Sequence, residues 1–185
     1  MGRSDVPLNS RGRAQATAIA EAVRDLSPSR LLASPQRRAV ETAEAIARAC
    51  DRPLHTEPAL AEVWLGRWQG KRWDEVRDDP EIARYVADPT YVCDAAEPGV
   101  EVQRRMVAFV EELRPAAGDQ TIVLVSHGDP LRILMAHYLS MALADYRHLE
   151  IAPGSVSVLR LDGRLPHRLC LFNWRPQQQQ HQLRW

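Results

Sequence analysis

The stretch "TIVLVSHG", residues 121–128, constrains the fold more than any other part of the chain. Ile122, Val123, Leu124 and Val125 follow one another with no polar residue between them, so neither face of a strand built from them can turn to water. Such a strand must be covered above and below, which predicts a central, parallel strand flanked by helices. The neighbouring segments supply helical patterns. "PLRILMAHYLSMAL" follows the strand, and Val102, Met106, Phe109, Val110 and Leu113 recur at helical spacing before it.

The same alternation runs through the first third of the chain. A helix is predicted from Asn9 or Ser10, either of which can cap it, with Ala16, Ile19, Ala20, Val23 and Leu26 on its buried stripe. "SRLLASP" reads as a short strand, followed by a helix with Ser34 as N-cap, Pro35 at its first position, and Ala39, Ala43, Ile46 and Ala47 facing inward. The two prolines of "RPLHTEPAL" confine that segment to an edge strand. Residues 62–98 predict a short helix within a long excursion over one face, a lid carrying Trp64, Trp68, Trp73, Tyr85 and Tyr91. "SVSVLRLDG" and "HRLCLFNW" read as two terminal strands joined at Asp162-Gly163. Strands alternating with helices predict an α/β fold, a three-layer α/β/α sandwich with a mostly parallel sheet. One domain is expected over residues 1–174, with a frayed Gln-rich tail over 175–185.

Charge narrows the partners. Lys and Arg number 24 and are matched by 24 Asp and Glu, so the basic surplus typical of nucleic-acid or membrane-surface binding is lacking. No apolar stretch is long enough to span a bilayer, and no secretory leader opens the chain. Cys50, Cys93 and Cys170 are odd in number and far apart, which suits a reducing cytoplasm rather than a disulfide framework or a zinc site. The histidines show no metal-ligand spacing, and no cofactor is implied.

Ligands of open α/β sheets collect beyond the carboxyl ends of the parallel strands, and two segments put reactive groups there. Arg38 lies in the first turn of the helix after "LLASP", beside helical N–H groups and the positive end of the dipole, a setting that suits phosphate. Read alone, it is as well a surface arginine beside Arg37. His127 follows the strongest strand directly, and Gly128 permits close backbone approach; the plainer alternative is a histidine that ends a strand and caps a helix. Glu62, in "LAEVWLGRWQG", stands beside Trp64, where apolar surroundings can raise a carboxyl pKa enough for general-acid work; a solvated loop carboxylate is the alternative.

Together "GRSDVPLNSRGRAQA", "ASPQRRAVETAEAIA", "AEVWLGRWQG" and "VLVSHGDPLR" resemble, in order and character, the histidine phosphatase superfamily, also called phosphoglycerate-mutase-like, over roughly residues 2–174. The resemblance implies in-line attack by a histidine on a phosphate monoester, a phosphohistidine, and its hydrolysis by water. By position it makes Arg38 the phosphate-binding arginine, His127 the second histidine on the phosphoryl oxygens, and Glu62 the proton donor to the leaving group. Gly128 and Gly2 would lend backbone amides, and arginine with imidazolium would supply the charge without a metal.

The implied substrate is a small phosphorylated metabolite. Compact connections favour a phosphatase over a phosphoglycerate mutase. The family's Gly-Glu-Ser segment is matched only weakly, by Glu97 or Glu101. The sequence contains no Arg-His-Gly, so the nucleophile and the first central strand that carries it are expected to precede Met1, with a late start site as the simplest cause. Two other readings follow from that absence: a non-catalytic member that binds a phosphorylated ligand through Arg38 and His127, and an α/β interaction module. An exposed strand edge would also favour a homodimer.

Overall fold

The computed structural model describes residues 2–93, 96–117, 120–161 and 167–176. Helix α1 (Ser10–Val23) starts at Asn9, whose side chain accepts the Gly12 N–H at 2.8 Å, and it buries Ala16, Ile19, Ala20 and Val23. Leu26 does not join that stripe. The α-helix ends at Val23 and tightens into a 3₁₀ turn, so the helical phase is lost and Leu26 is left 48% exposed.

Strand β1 (Arg30–Ala33) leads into α2 (Arg37–Cys50), which buries Ala39, Ala43 and Ile46. Ser34 does not cap α2, and Pro35 lies outside it, because the helix begins two residues later, at Arg37. Gln36 holds the cap position without a side-chain capping bond, and the Arg37 N–H is taken by the Asp5 carboxylate at 2.8 Å. One helical donor expected to be open to a ligand is therefore already occupied. Strand β2 (Leu54–Thr56) is the edge strand that its prolines predict.

The segment read as a lid carries α3 (Trp73–Val76) and α4 (Pro80–Ala87). It is packed down rather than laid over the surface. Trp68, Val76, Ile82 and Tyr85 are buried in one cluster with Val102, Met106 and Phe109 of α5 (Gly99–Ala117). Its polar tips are tied as well, Trp68 Nε1 to Asp79 at 2.8 Å and the Tyr85 hydroxyl to the Glu97 carbonyl at 2.9 Å.

Strand β3 (Ile122–Val125), helix α6 (Gly128–Tyr138) and strands β4 (Val156–Arg160) and β5 (Arg168–Trp174) complete the described elements. The parallel sheet has the order β2-β1-β3, and β4-β5 form a separate antiparallel pair. This corrects one expectation. β3 is parallel but stands at the edge of the described three-stranded sheet, and β1 holds the middle. Pairing with segments distant in sequence decides that order, which apolarity within β3 cannot report.

Leu31, Val123 and Val125 pack with Ile19, Ala20, Val23 and Ile46 on one face; Leu32, Ile122 and Leu124 pack with Val102, Met106, Ile133 and Leu134 on the other. The result is the α/β/α sandwich. Val156 of β4 reaches the first cluster and Leu159 the second, so the antiparallel pair lies between the same two helical layers as the parallel sheet, with no ladder joining them among the described residues. The Asp162-Gly163 turn and the tail beyond Pro176 lie outside the described residues.

Candidate active site

The carboxyl ends of the three parallel strands bring the sequence candidates together. Backbone bonds align those ends: Ser34 N–H donates to the Val125 carbonyl at 2.8 Å, and Glu57 N–H to the Ala33 carbonyl at 2.7 Å. The Ser126 hydroxyl ties the end of β3 to the Leu60 carbonyl at 2.8 Å.

Arg38 is half-buried, and its guanidinium donates to the Ser4 and Gly2 carbonyls, each at 2.9 Å. Burial lowers its pKa from the ordinary value, while Glu62 and Asp5 act the other way. Gly2 adopts a left-handed φ of +49°, and a Cβ there would collide with the Gln69 side chain. Its carbonyl serves Arg38. At Gly128, an added Cβ would meet only the Arg132 guanidinium, at 3.8 Å, so space is open beside His127.

His127 is 7% exposed and occupies the N-cap of α6. Its Nε2 lies 2.6 Å from the Ser34 hydroxyl and 2.9 Å from Gln36 Oε1. Burial first, then Arg38 and Arg105, push its pKa down to about 3. The ring of the ligand-free protein is thus neutral at physiological pH, not the imidazolium that the resemblance implies. Burial disfavours the charged ring most, two guanidinium groups also repel a proton, and no carboxylate pairs with the ring among the described residues.

Glu62 is pushed the opposite way, up to about 7, by burial; its own bond from the Val63 N–H lowers it, Asp129 raises it, and Arg38 and Arg105 lower it. Its backbone is clamped. The carbonyl accepts Arg3 Nε at 2.7 Å, and the N–H donates to Gln36 Oε1 at 3.2 Å. Arg105 donates to the Ala59 carbonyl at 2.6 Å and pairs with Glu97 at 2.8 Å, and Glu97 also holds Arg3 at 3.0 Å and the Trp64 N–H at 3.2 Å.

Sequence reasoning missed this scaffold. Arg3 and Arg105 carry no motif of their own, and Glu97 stood out only as a weak match. Gln36 left no signal of its own, because the sequence placed the helix cap at Ser34 and only the structure moves it to Gln36. The assembled groups can seat an anion on Arg38, donate a hydrogen bond from a neutral imidazole, and deliver a proton from a carboxyl that keeps it to about pH 7.

A parallel sheet between two helical layers, with these groups at its carboxyl edge, defines an α/β domain of the phosphoglycerate-mutase-like fold. The chain belongs to the histidine phosphatase superfamily (branch 1), whose model matches residues 1–173. It is 30% identical over 166 residues to phosphoserine phosphatase 1 of Hydrogenobacter thermophilus, covering 88% of this chain and 79% of that protein. It is 29% identical over 194 residues to glucosyl-3-phosphoglycerate phosphatase of Mycobacterium tuberculosis, covering 100% of this chain and 82% of that one. The solved complex of a mycobacterial glucosyl-3-phosphoglycerate phosphatase with inorganic phosphate superposes with a TM-score of 0.85 at 28% identity, covering 96% of this chain and 92% of the other.

Proposed function

We propose that this chain is a phosphomonoesterase of the histidine phosphatase type, acting on a small phosphorylated metabolite with water as the final phosphoryl acceptor; the family's phosphoryl-accepting histidine is not one of the groups described above. The observation that carries the reading is the convergence at the strand ends of a half-buried Glu62 that keeps its proton to about pH 7, the Arg38 guanidinium that acts on it electrostatically, and neutral His127. Arg38 would hold the phosphoryl oxygens, and His127 would donate a second hydrogen bond to them. Glu62 would give its proton to the departing alkoxide. A dianion seated beside His127 would raise its pKa, so binding would draw in a proton below neutrality. A family member that binds phosphate esters without turnover is the second reading, favoured because His127 Nε2 already faces Ser34 and Gln36 and is not free to attack a phosphoryl group.

One set of measurements separates the two. Phosphate and vanadate are expected to raise the melting temperature, and Arg38→Met to weaken that binding by about 10–100-fold, as loss of hydrogen bonds to a charged group implies. Hydrolysis of p-nitrophenyl phosphate that drops in Glu62→Gln supports the esterase. Binding without hydrolysis leaves the second reading, and absence of both overturns the phosphate site altogether.

A further inference from the structure

The side chain of Gln36 has no part in the roles set out above, yet it touches both groups on which they depend. It is buried, 8% exposed, and turns away from the helix end it could cap. Its Oε1 faces the Glu62 backbone N–H at 3.2 Å and His127 Nε2 at 2.9 Å, and it also meets the Ser34 hydroxyl. The hydrogens around it follow from donor chemistry. A backbone N–H can only donate, so the Gln36 atom facing Glu62 is the amide oxygen. An amide oxygen can only accept, so His127 Nε2 carries the hydrogen. Ser34 Oγ, 2.6 Å from the same nitrogen, then accepts from the ring and from the Gln36 N–H at 3.3 Å, and gives its own hydrogen to the amide oxygen. In this arrangement each contact between Ser34, Gln36, His127 Nε2 and the Glu62 N–H joins a donor to an acceptor. With Ser34 alone, the hydroxyl could serve either tautomer of the ring.

We propose that Gln36 is a positioning residue: its amide oxygen holds the His127 ring in the Nε2–H form and ties it to the Glu62 backbone, so that imidazole and carboxyl keep one fixed separation. The proposal rests on this cluster being the functional site, but its test needs neither phosphate nor turnover, so it can fail while the phosphatase reading stands. Each ring nitrogen reports its own protonation in ¹⁵N NMR, and the His127 signals are assigned by their loss in His127→Asn. In the ligand-free protein at neutral pH, His127 should show a protonated Nε2 and an unprotonated Nδ1. Gln36→Leu frees the Ser34 hydrogen to donate to Nε2, and the two signal types should exchange places or average. Ser34→Ala should keep the wild-type pattern, because the Gln36 oxygen alone suffices. A wild-type ring protonated on Nδ1 overturns the proposal, as does a folded Gln36→Leu protein with an unchanged pattern. If Gln36→Leu does not fold, Ser34→Ala decides: retention of Nε2–H supports the role of Gln36, and a switch refutes it.

Discussion

Strands β1 and β3 run side by side, yet the less apolar one is the better buried. In β1, Leu31, Leu32 and Ala33 are 0%, 3% and 0% exposed, whereas all four residues of β3 are only half-buried. β1 is paired on both edges, to β2 and β3, while β3 is paired only to β1 among the described residues. Burial in a sheet therefore follows from the number of neighbours a strand has, not from the apolarity of its own side chains. The contrast extends to the groups beyond the strand ends. His127 is buried and Glu62 half-buried, and both are uncharged at neutrality or just below it, but burial moves their pKa values in opposite directions.

The largest expected effect comes from truncating the middle strand. Leu31→Ala should cost about 2–5 kcal/mol of unfolding free energy in urea, as for a fully buried leucine, while Val123→Ala in β3 should cost about 1 kcal/mol. Equal costs would show that the two strands are equally enclosed in solution, and the comparison would break.

Glu62 gives the next effect, and its sign follows from the direction of the shift. The folded carboxyl keeps its proton to about pH 7, against an ordinary value of 4.5, so its favourable contribution is present below the unfolded value and is lost as pH rises through the folded one. Glu62→Gln cannot ionise and lacks that loss. Its stability relative to wild type should grow by on the order of 3 kcal/mol between pH 4 and pH 8. Parallel stability curves for the two proteins would rule out a half-buried, proton-bearing carboxyl. His127 acts with the opposite sign: its folded value lies below the unfolded one, so its contribution is present above about 6.5 and is lost as pH falls toward about 3.

The smallest effect sharpens the contrast at β3. Val123→Thr adds a hydroxyl at a half-buried position and should change stability by less than about 1 kcal/mol, because water can reach the new group. A larger loss in urea titration would mean that this face of β3 is closed.

The particular residues show why some of this was legible in the sequence. Periodicity is local, so the buried stripes Ala16-Ile19-Ala20-Val23 and Val102-Met106-Phe109-Val110-Leu113 could be read without any partner in view. The rule that ligands gather at the carboxyl ends of parallel strands picked out Arg38 and His127 before their neighbours were known. Leu26 departs from its expected stripe because the 3₁₀ turn Arg24–Leu26 shifts the helical phase. Ser34 was misread because Asp5, distant in sequence, takes the helical N–H that a cap would have served.

The sequence by itself determined the helices, the parallel strands, the family, and which side chains stand beyond the strand ends, because local spacing and chain order carry that information. Only the tertiary structure decided that β1 rather than β3 holds the middle, that Glu62 keeps a proton while His127 loses one, and that Gln36 joins them. Strand pairing, desolvation and hydrogen-bond satisfaction are set by groups far apart in the chain, and they have no signature until the chain is folded.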